Sequence, residues 1–104
     1  MGAARIEARR SGEFAVTGEM SFSTAPALWN QSRDVFATAA DAIGIDLGRV
    51  ERADSAGLAL LVAWTRQARG AGRSIRFLNP PDQLMALAQA NKVGNLLGLE
   101  RLGN

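Results

Sequence analysis

Two segments, Ile43-Gly44-Ile45-Asp46-Leu47 and Asp54-Ser55-Ala56-Gly57-Leu58, decide the fold of this chain. The first alternates apolar residues with small or acidic ones, which is the pattern of a strand with one buried face. The second places Asp54 and Ser55 before a long apolar run, and either residue can cap the N-terminus of a helix. Together they predict a strand, a short loop and a helix whose first turn carries the Ser55 hydroxyl.

Strands and a helix are also predicted before these segments. Residues 5–9 and 14–20 alternate apolar with polar side chains, and Ser11-Gly12 between them predicts a hairpin. Pro26, shortly after Ser23-Thr24, predicts the start of a first helix. Its expected inner positions recur at helical spacing and are Leu28, Trp29, Ser32, Val35, Phe36 and Ala39.

The C-terminal part continues the same alternation. Residues 73–78 predict another strand, and Asn79-Pro80-Pro81-Asp82 turns the chain into a third helix that ends near Gly94. We expect this helix to bury Leu84, Leu87, Ala88 and Asn91. A short turn or helix through residues 96–99 closes the chain. The order of elements predicts an α/β fold with a mixed sheet of four to five strands backed by helices, as a single domain over residues 1–104.

The second helix, predicted from about Asp54 to Gly70, has two different sides. At ~100° per residue, the side that suits a sheet collects Gly57, Leu58, Leu61, Trp64, Thr65 and Ala68. The opposite side collects Ser55, Ala59, Val62, Ala63, Arg66 and Gly70. A side that faces water is normally polar, whereas the first turns here are small and apolar. Either a second layer of the domain or a partner protein covers them, and the small number of predicted helices and strands favours a partner.

Composition argues against most enzyme classes. The chain has 104 residues, of which 47% are hydrophobic, and it contains no cysteine and no histidine. It therefore lacks the common zinc ligands, a catalytic thiol and the imidazole base of most hydrolases. Ser55 has no base near it in sequence because Lys92 is the only lysine, and Asp54 is committed to the cap rather than to a pair with Asp46. No glycine-rich phosphate loop occurs, so we expect no catalytic residue, no metal and no cofactor.

Charge and hydropathy narrow the class of partner. The isoelectric point of about 10.4 is high, yet the net charge is only +2. Arg66, Arg69, Arg73 and Arg76 gather where cations complement the end of the second helix, and no aromatic residue is interleaved for base stacking. The longest uncharged runs, residues 20–32 and 55–65, are shorter than the ~20 residues of a membrane span. We expect no nucleic acid, no membrane insertion and a cytoplasmic location.

The motif Asp54-Ser55-Ala56-Gly57-Leu58 resembles the signature of STAS domains, which occur in anti-sigma-factor antagonists and in the C-terminal part of sulfate transporters. Ala56 stands where many family members have a second serine. Residues 16–20 and 73–78 resemble the family's early strand and its last long strand. Within the family, residues 54–61, 72–77 and 81–88 are most similar to the MlaB-type subunits of bacterial phospholipid-transport ABC systems.

The resemblance implies a non-catalytic subunit that binds and supports the ATPase subunit of a phospholipid-transporting ABC complex, at the inner membrane of an envelope with an asymmetric outer membrane. The resemblance places Ser55 at this partner, with Asp54 beside it as cap and orienting group. The helical projection adds Ala59, Val62, Ala63 and Arg66 to the expected partner-binding residues. An alternative within the family is an anti-sigma-factor antagonist. In those proteins the serine that matches Ser55 is phosphorylated by an anti-sigma factor kinase, and the phosphate breaks partner binding.

Overall fold

The computed structural model describes residues 3–10, 12–37 and 41–100. Within them one sheet contains β1 (Ala4–Arg10), β2 (Glu13–Met20), β3 (Ala42–Ala53), β4 (Ser74–Leu78) and β5 (Leu99–Glu100). The helices are α1 (Ala25–Ala37), α2 (Ser55–Gly70) and α3 (Asp82–Ala90). The strands lie in the sheet in chain order, with β1 antiparallel to β2 and every later pair parallel. The predicted α/β fold with a mixed sheet is confirmed.

The connections follow from the strand directions. The antiparallel pair β1 and β2 is joined by a tight hairpin, in which Gly12 has a φ of 75° that a residue with a side chain rarely adopts. Parallel strands need long crossovers, which α1, α2 and the segment containing α3 provide. The predicted hairpin is therefore present, although Ser11 itself lies outside the described residues.

A chain of aromatic rings shows where the core lies. The ring centroids of Phe14 and Phe36 are 5.8 Å apart, those of Phe36 and Trp64 are 5.8 Å apart, and those of Trp64 and Phe77 are 6.5 Å apart. These residues belong in turn to β2, α1, α2 and β4, so α1 and α2 cover the same face of the sheet. The third helix packs beside α2 and buries Leu84 and Ala88 as predicted.

The opposite face of the sheet is not covered by any helix that the structure describes. Two ion pairs lie on it: the Arg9 guanidinium lies 3.0 Å from an Asp46 carboxylate oxygen, and that of Arg5 lies 2.8 Å from Glu7. Smaller residues beneath them, such as Ala15, are buried. We call this surface the sheet face; it consists of Arg5, Glu7, Arg9, Glu13, Ala15, Thr17, Gly44, Asp46 and Arg76.

The edge strand β1 is held by α1. The side-chain amide of Gln31 accepts a hydrogen bond from the Ile6 N–H at 2.9 Å and donates one to the Ala4 carbonyl oxygen at 3.3 Å. One side chain of the helix thus bonds two backbone groups of the strand, and this fixes the distance between α1 and the edge of the sheet.

Three expectations about the elements were wrong in part. The third strand is predicted for residues 43–47, whereas β3 extends to Ala53. The alternation of apolar and polar residues is lost after Leu47, and the pairing of β3 with β2 is irregular over the same stretch. The third helix ends at Ala90 rather than near Gly94. Asn91 is expected to be buried but is the exposed C-terminal cap of this helix, and its side-chain amide donates to the Leu87 carbonyl oxygen.

The two tryptophans differ from each other. Trp64 is fully buried as expected, whereas Trp29 of α1 is only partly buried. The other inner positions predicted for α1, namely Leu28, Ser32 and Phe36, are buried. Ala39 and the side chain of Val35 lie outside the described part of the chain. The predicted last turn is present, and β5 follows it.

Candidate protein-binding site

The start of α2 is organised by one carboxylate. Asp54 is the N-cap, and one of its oxygens accepts hydrogen bonds from the N–H groups of Ala56 at 2.8 Å and Gly57 at 3.4 Å. The other oxygen accepts the N–H of Phe22 at 3.2 Å. Desolvation raises the pKa of Asp54, but the backbone N–H groups together outweigh it and hold this pKa below its ordinary value. The carboxylate therefore joins the loop before α1 to the first turn of α2.

Ser55 does not supply the N-cap of α2. It is the first residue of α2 and is exposed, while the cap is supplied by the neighbouring Asp54. Of the two caps that the sequence allowed, Asp54 is the one used. The hydroxyl of Ser55 therefore stands at the positive end of the helix dipole with access to water.

Gly57 lets α2 approach the end of β2. A Cβ atom at this position would lie 2.5 Å from the Met20 carbonyl oxygen, closer than real Cβ contacts allow. That same oxygen accepts the N–H of Asp54 at 3.1 Å. At the end of β3, the Ala53 N–H donates to the side-chain oxygen of Gln83 in α3 at 3.0 Å. The beginning of α2 is thus fixed against β2, and the end of β3 that precedes it is bonded to α3.

The two sides of α2 lie as the sequence predicted. All six residues expected on the sheet side are buried, together with Leu60. On the other side Ser55, Ala59, Arg66 and Gly70 are exposed, and Val62 and Ala63 are partly buried. No element in the described part of the chain covers this side, so the alternative of a second layer from the same domain is not observed there. We call the exposed surface the α2 face; it consists of Ser55, Ala59, Val62, Ala63 and Arg66.

Two open grooves run along the α2 face. The α1 groove, of about 410 Å³, lies between α1 and α2 and is lined by Phe22, Ala25, Pro26, Trp29, Ala56, Ala59, Leu60 and Ala63. The α3 groove, of about 490 Å³, lies towards the end of α3 and is lined by Ser55, Leu58, Ala59, Val62, Ala63, Arg66, Asn91 and Val93. Ala59 and Ala63 line both, so these small side chains form a low ridge between the grooves.

Phe22 and Trp29 were not recognised as surface residues from the sequence. Phe22 is 84% exposed and lies in the loop before α1, where no periodicity exists to interpret. One signal was present, because a phenylalanine between Ser21 and Ser23 is an unusual residue for a polar turn. Trp29 shares its side of α1 with buried residues, and the sequence pattern could not separate it from them.

The acidic residues do not form a catalytic constellation in the described residues. Asp46 lies within β3, where it pairs with Arg9 and accepts the Gly48 N–H at 2.8 Å, whereas Asp54 follows the end of the same strand. Among the residues that the structure describes, no three acidic side chains come together as metal ligands would. None of the described helices combines the length and the apolar character needed to cross a membrane.

Comparison with known proteins agrees with this architecture. A family model described as "Mlab, STAS domain" matches residues 5–99. The chain belongs to the MlaB-type STAS domain family. The Haemophilus influenzae protein named intermembrane phospholipid transport system binding protein MlaB is 35% identical over 75 residues, which cover 68% of this chain and 70% of that protein. The resemblance inferred from the motif around Ser55 is confirmed.

Solved structures of other STAS domains share the fold. The anti-sigma factor antagonist from Mycobacterium paratuberculosis superimposes with a TM-score of 0.80 at 24% identity, over 95% of this chain and 86% of that one. Unphosphorylated SpoIIAA, also an anti-sigma factor antagonist, gives a TM-score of 0.73 at 18% identity, over 98% and 90% of the two chains. At these identities the likeness shows the STAS fold and nothing finer.

Proposed function

We propose that this STAS domain is a non-catalytic subunit that binds and supports the ATPase subunit of a phospholipid-transporting ABC complex. The observation that carries the proposal is the uncovered α2 face, which exposes small and apolar side chains next to the cap of the helix. The similarity to a protein named as the binding protein of a phospholipid transport system supports this class of partner. In this role the domain works at the cytoplasmic side of the inner membrane and helps to maintain lipid asymmetry in the outer membrane.

The chemistry of the α2 face suits a protein partner. The alanines at positions 59 and 63 lie one helical turn apart, so their small side chains let a second backbone approach closely. Burying them and Val62 removes apolar surface from water, which favours association. Asp54 stays bonded to its backbone N–H groups during such contact, so its charge needs no new partner.

A subunit of this kind acts by stabilisation. If it binds one conformation of the ATPase more tightly than the others, it shifts the population towards that conformation. It also raises the free energy of unfolding of the assembled partner by mass action. ATP hydrolysis then belongs to the complex, and this chain contributes binding energy only.

Co-purification with the ATPase subunit tests the proposal. The wild-type domain should elute with its ATPase at a fixed ratio, and Ala63→Arg should abolish co-elution because a charge would be buried without a partner. Ala86→Arg is the matched control, since Ala86 is an exposed alanine of α3 that lines neither groove. Steady-state ATP hydrolysis and thermal melting of the transporter, with and without the domain, complete the test. Failure of the wild-type domain to bind, or identical rates and melting curves, would contradict the proposal.

A phosphorylation switch is the second candidate function, in which the chain is an anti-sigma-factor antagonist. It is favoured by the exposure of Ser55 at the start of α2, where the dipole of the helix tolerates an added phosphate charge of about −2. Ser55→Asp should change the free energy of unfolding by less than ~1 kcal/mol, since Asp54 remains the cap. Binding assays with the ATPase and with an anti-sigma factor kinase then separate the candidates. Phosphorylation of Ser55 by the kinase, with no binding to the ATPase, would establish the switch.

A further inference from the structure

A further cavity lies where α1 and α2 end. Its volume is about 260 Å³, which is near the lower end of the ~300–1,000 Å³ range of small-molecule sites. It shares no residue with the α2 face or with either groove along it. We call this cavity the arginine pocket; it is lined by Arg33, Phe36, Ala37, Ile43, Gln67, Ala68, Ala71 and Arg73.

Much of the arginine pocket is lined by apolar side chains. Phe36, Ile43 and Ala68 are buried members of the hydrophobic core, whereas Ala37 and Ala71 are exposed at the ends of the two helices. An occupant therefore contacts side chains of the core from the surface of the domain. A hydrocarbon group in this position is removed from water, which favours its binding.

The charged residues of this lining are both arginines. Arg73 is half-buried, and its guanidinium donates to the Phe36 carbonyl oxygen at 2.6 Å, whereas Arg33 is exposed. In the part of the chain that the structure describes, the ion pairs join other residues, and neither guanidinium has a carboxylate partner. Because a guanidinium carries five N–H donors, Arg73 keeps donors for a second acceptor. The lining thus presents two cations and no anion to an occupant.

The dipoles of the two helices enter the same charge balance, because both helices end at the pocket. The C-terminal end of each helix carries about −0.5 of a unit charge. The last turn of α1 contains no basic residue, and Arg73 supplies the cation there from outside the helix. Two guanidiniums against two helix ends leave a net charge of about +1. Stabilisation of the helix ends therefore accounts for part of the positive charge, and the remainder favours a monoanion.

We propose that the arginine pocket binds a small organic anion, namely a carboxylate or phosphate group attached to a short hydrocarbon body. The anionic group accepts hydrogen bonds from Arg33 and Arg73, and the hydrocarbon packs against Phe36. A free carboxylic acid anion and the headgroup region of an anionic phospholipid share this chemistry. The site goes beyond the function proposed above, since it needs neither the ATPase subunit nor the α2 face.

Hexanoate is the probe that tests the site, and hexanol and hexylamine, which carry the same chain, are its matched controls. Hexanoate should raise the melting temperature of the domain, and its Kd should be at least about tenfold lower than that of hexanol, because only the carboxylate forms charge-assisted hydrogen bonds. Hexylamine should not bind. In amide NMR spectra the shifts should centre on residues 67–73. The indole N–H of Trp64 should also shift, since its ring centroid lies 5.8 Å from that of Phe36.

Substitutions separate the charge of the pocket from its shape. Arg33→Met removes a charge at an exposed position and should weaken hexanoate binding by about tenfold, with hexanol binding unchanged. Arg73→Met should do the same, and Arg73→Lys, which keeps the charge at the end of α1, should retain part of the affinity. Ala71→Leu narrows the pocket and should weaken both probes. Arg49→Met, at an exposed position of β3 outside the pocket, should change neither. Thermal melting without a probe confirms that each variant is folded.

Vesicles distinguish the two sources of the anion. Co-sedimentation with phosphatidylglycerol but not with phosphatidylcholine, lost in Arg33→Met, assigns the site to a membrane lipid, and hexanoate binding without co-sedimentation assigns it to a free anion. Equal affinity for hexanoate and hexanol, hexanoate binding that survives both methionine variants, or neither hexanoate binding nor co-sedimentation overturns the proposal. None of these results bears on the proposed function, which fails only if the ATPase subunit is not bound or not affected.

Discussion

The sheet face and the α2 face are both open to water in the described residues, but they are built in opposite ways. On the sheet face, long charged side chains pair with one another, as Arg9 does with Asp46, and they lie over small residues such as Gly44. On the α2 face, the side chains are short and apolar, and Arg66 is the single charge among its defining residues. Both surfaces are exposed, but only the sheet face has ion pairs between its own side chains.

If the proposed function holds, side-chain chemistry rather than exposure distinguishes the binding surface from the other open surface. Exposed ion pairs contribute little to the free energy of unfolding, but they keep a surface hydrated and costly to bury. A row of alanine and valine side chains gains from burial and loses little entropy on contact. The two faces can therefore be told apart by matched substitutions.

The largest expected difference concerns a new charge on each face. Ala59→Arg should weaken binding to the ATPase subunit by roughly 100-fold, which is about 2.7 kcal/mol, because the added guanidinium must be desolvated at the contact. Thr17→Arg places the same side chain on the sheet face and should change the Kd by less than about twofold. Calorimetric titration gives both values. Equal losses for the two variants would mean that the partner contacts the sheet face too.

A smaller effect is expected from adding one methyl group beneath each face. Gly57→Ala should lower the free energy of unfolding by about 1–3 kcal/mol, because the Cβ would clash with the Met20 carbonyl oxygen, which is backbone and cannot move freely. Gly44→Ala meets only side-chain atoms, at 3.7 Å or more, and should be neutral or stabilising by up to ~1 kcal/mol. Urea unfolding measures both. If Gly57→Ala were as stable as the wild type, the close approach of α2 to β2 would be wrong.

The smallest effect concerns pH. The backbone N–H groups lower the pKa of Asp54 in the folded state, so its contribution is present above the unfolded pKa and is lost as the pH falls through the folded pKa. Asp54→Asn keeps a capping side chain but has no carboxylate to titrate. At pH ~6 the free energy of unfolding of the wild type should therefore exceed that of the variant. The difference should shrink as the pH falls below ~4, which is the ordinary pKa of an Asp side chain. A difference that is constant across these pH values would contradict the assignment.

Much of the fold and part of the site could be predicted from the sequence, for physical reasons. The periodicity of residues 55–70 separated the buried side of α2 from its exposed side, since each position on a helix faces one direction. The strand β3 was predicted too short because irregular pairing with β2 breaks the alternation on which the prediction depended. A pattern of period two cannot detect a strand that continues beyond such an irregularity.

The remainder of the site depended on contacts between segments distant in sequence. Phe22 belongs to the surface beside α2 because Asp54, 32 residues further on, binds its backbone N–H. Trp29 lines the α1 groove because α1 packs beside α2. Neither property is local, so composition and periodicity could not supply it.

The contact of Gln31 with β1 has a further consequence for how the protein behaves at high concentration. The outer edge of a sheet offers free N–H and C=O groups to which a strand of another molecule can add, and such addition starts aggregation. Gln31 occupies two of these groups on β1, at Ala4 and Ile6, with an amide that imitates the backbone of a neighbouring strand. At these two groups the edge is closed to a strand of another copy, so the proposed association through the α2 face does not compete with strand addition there.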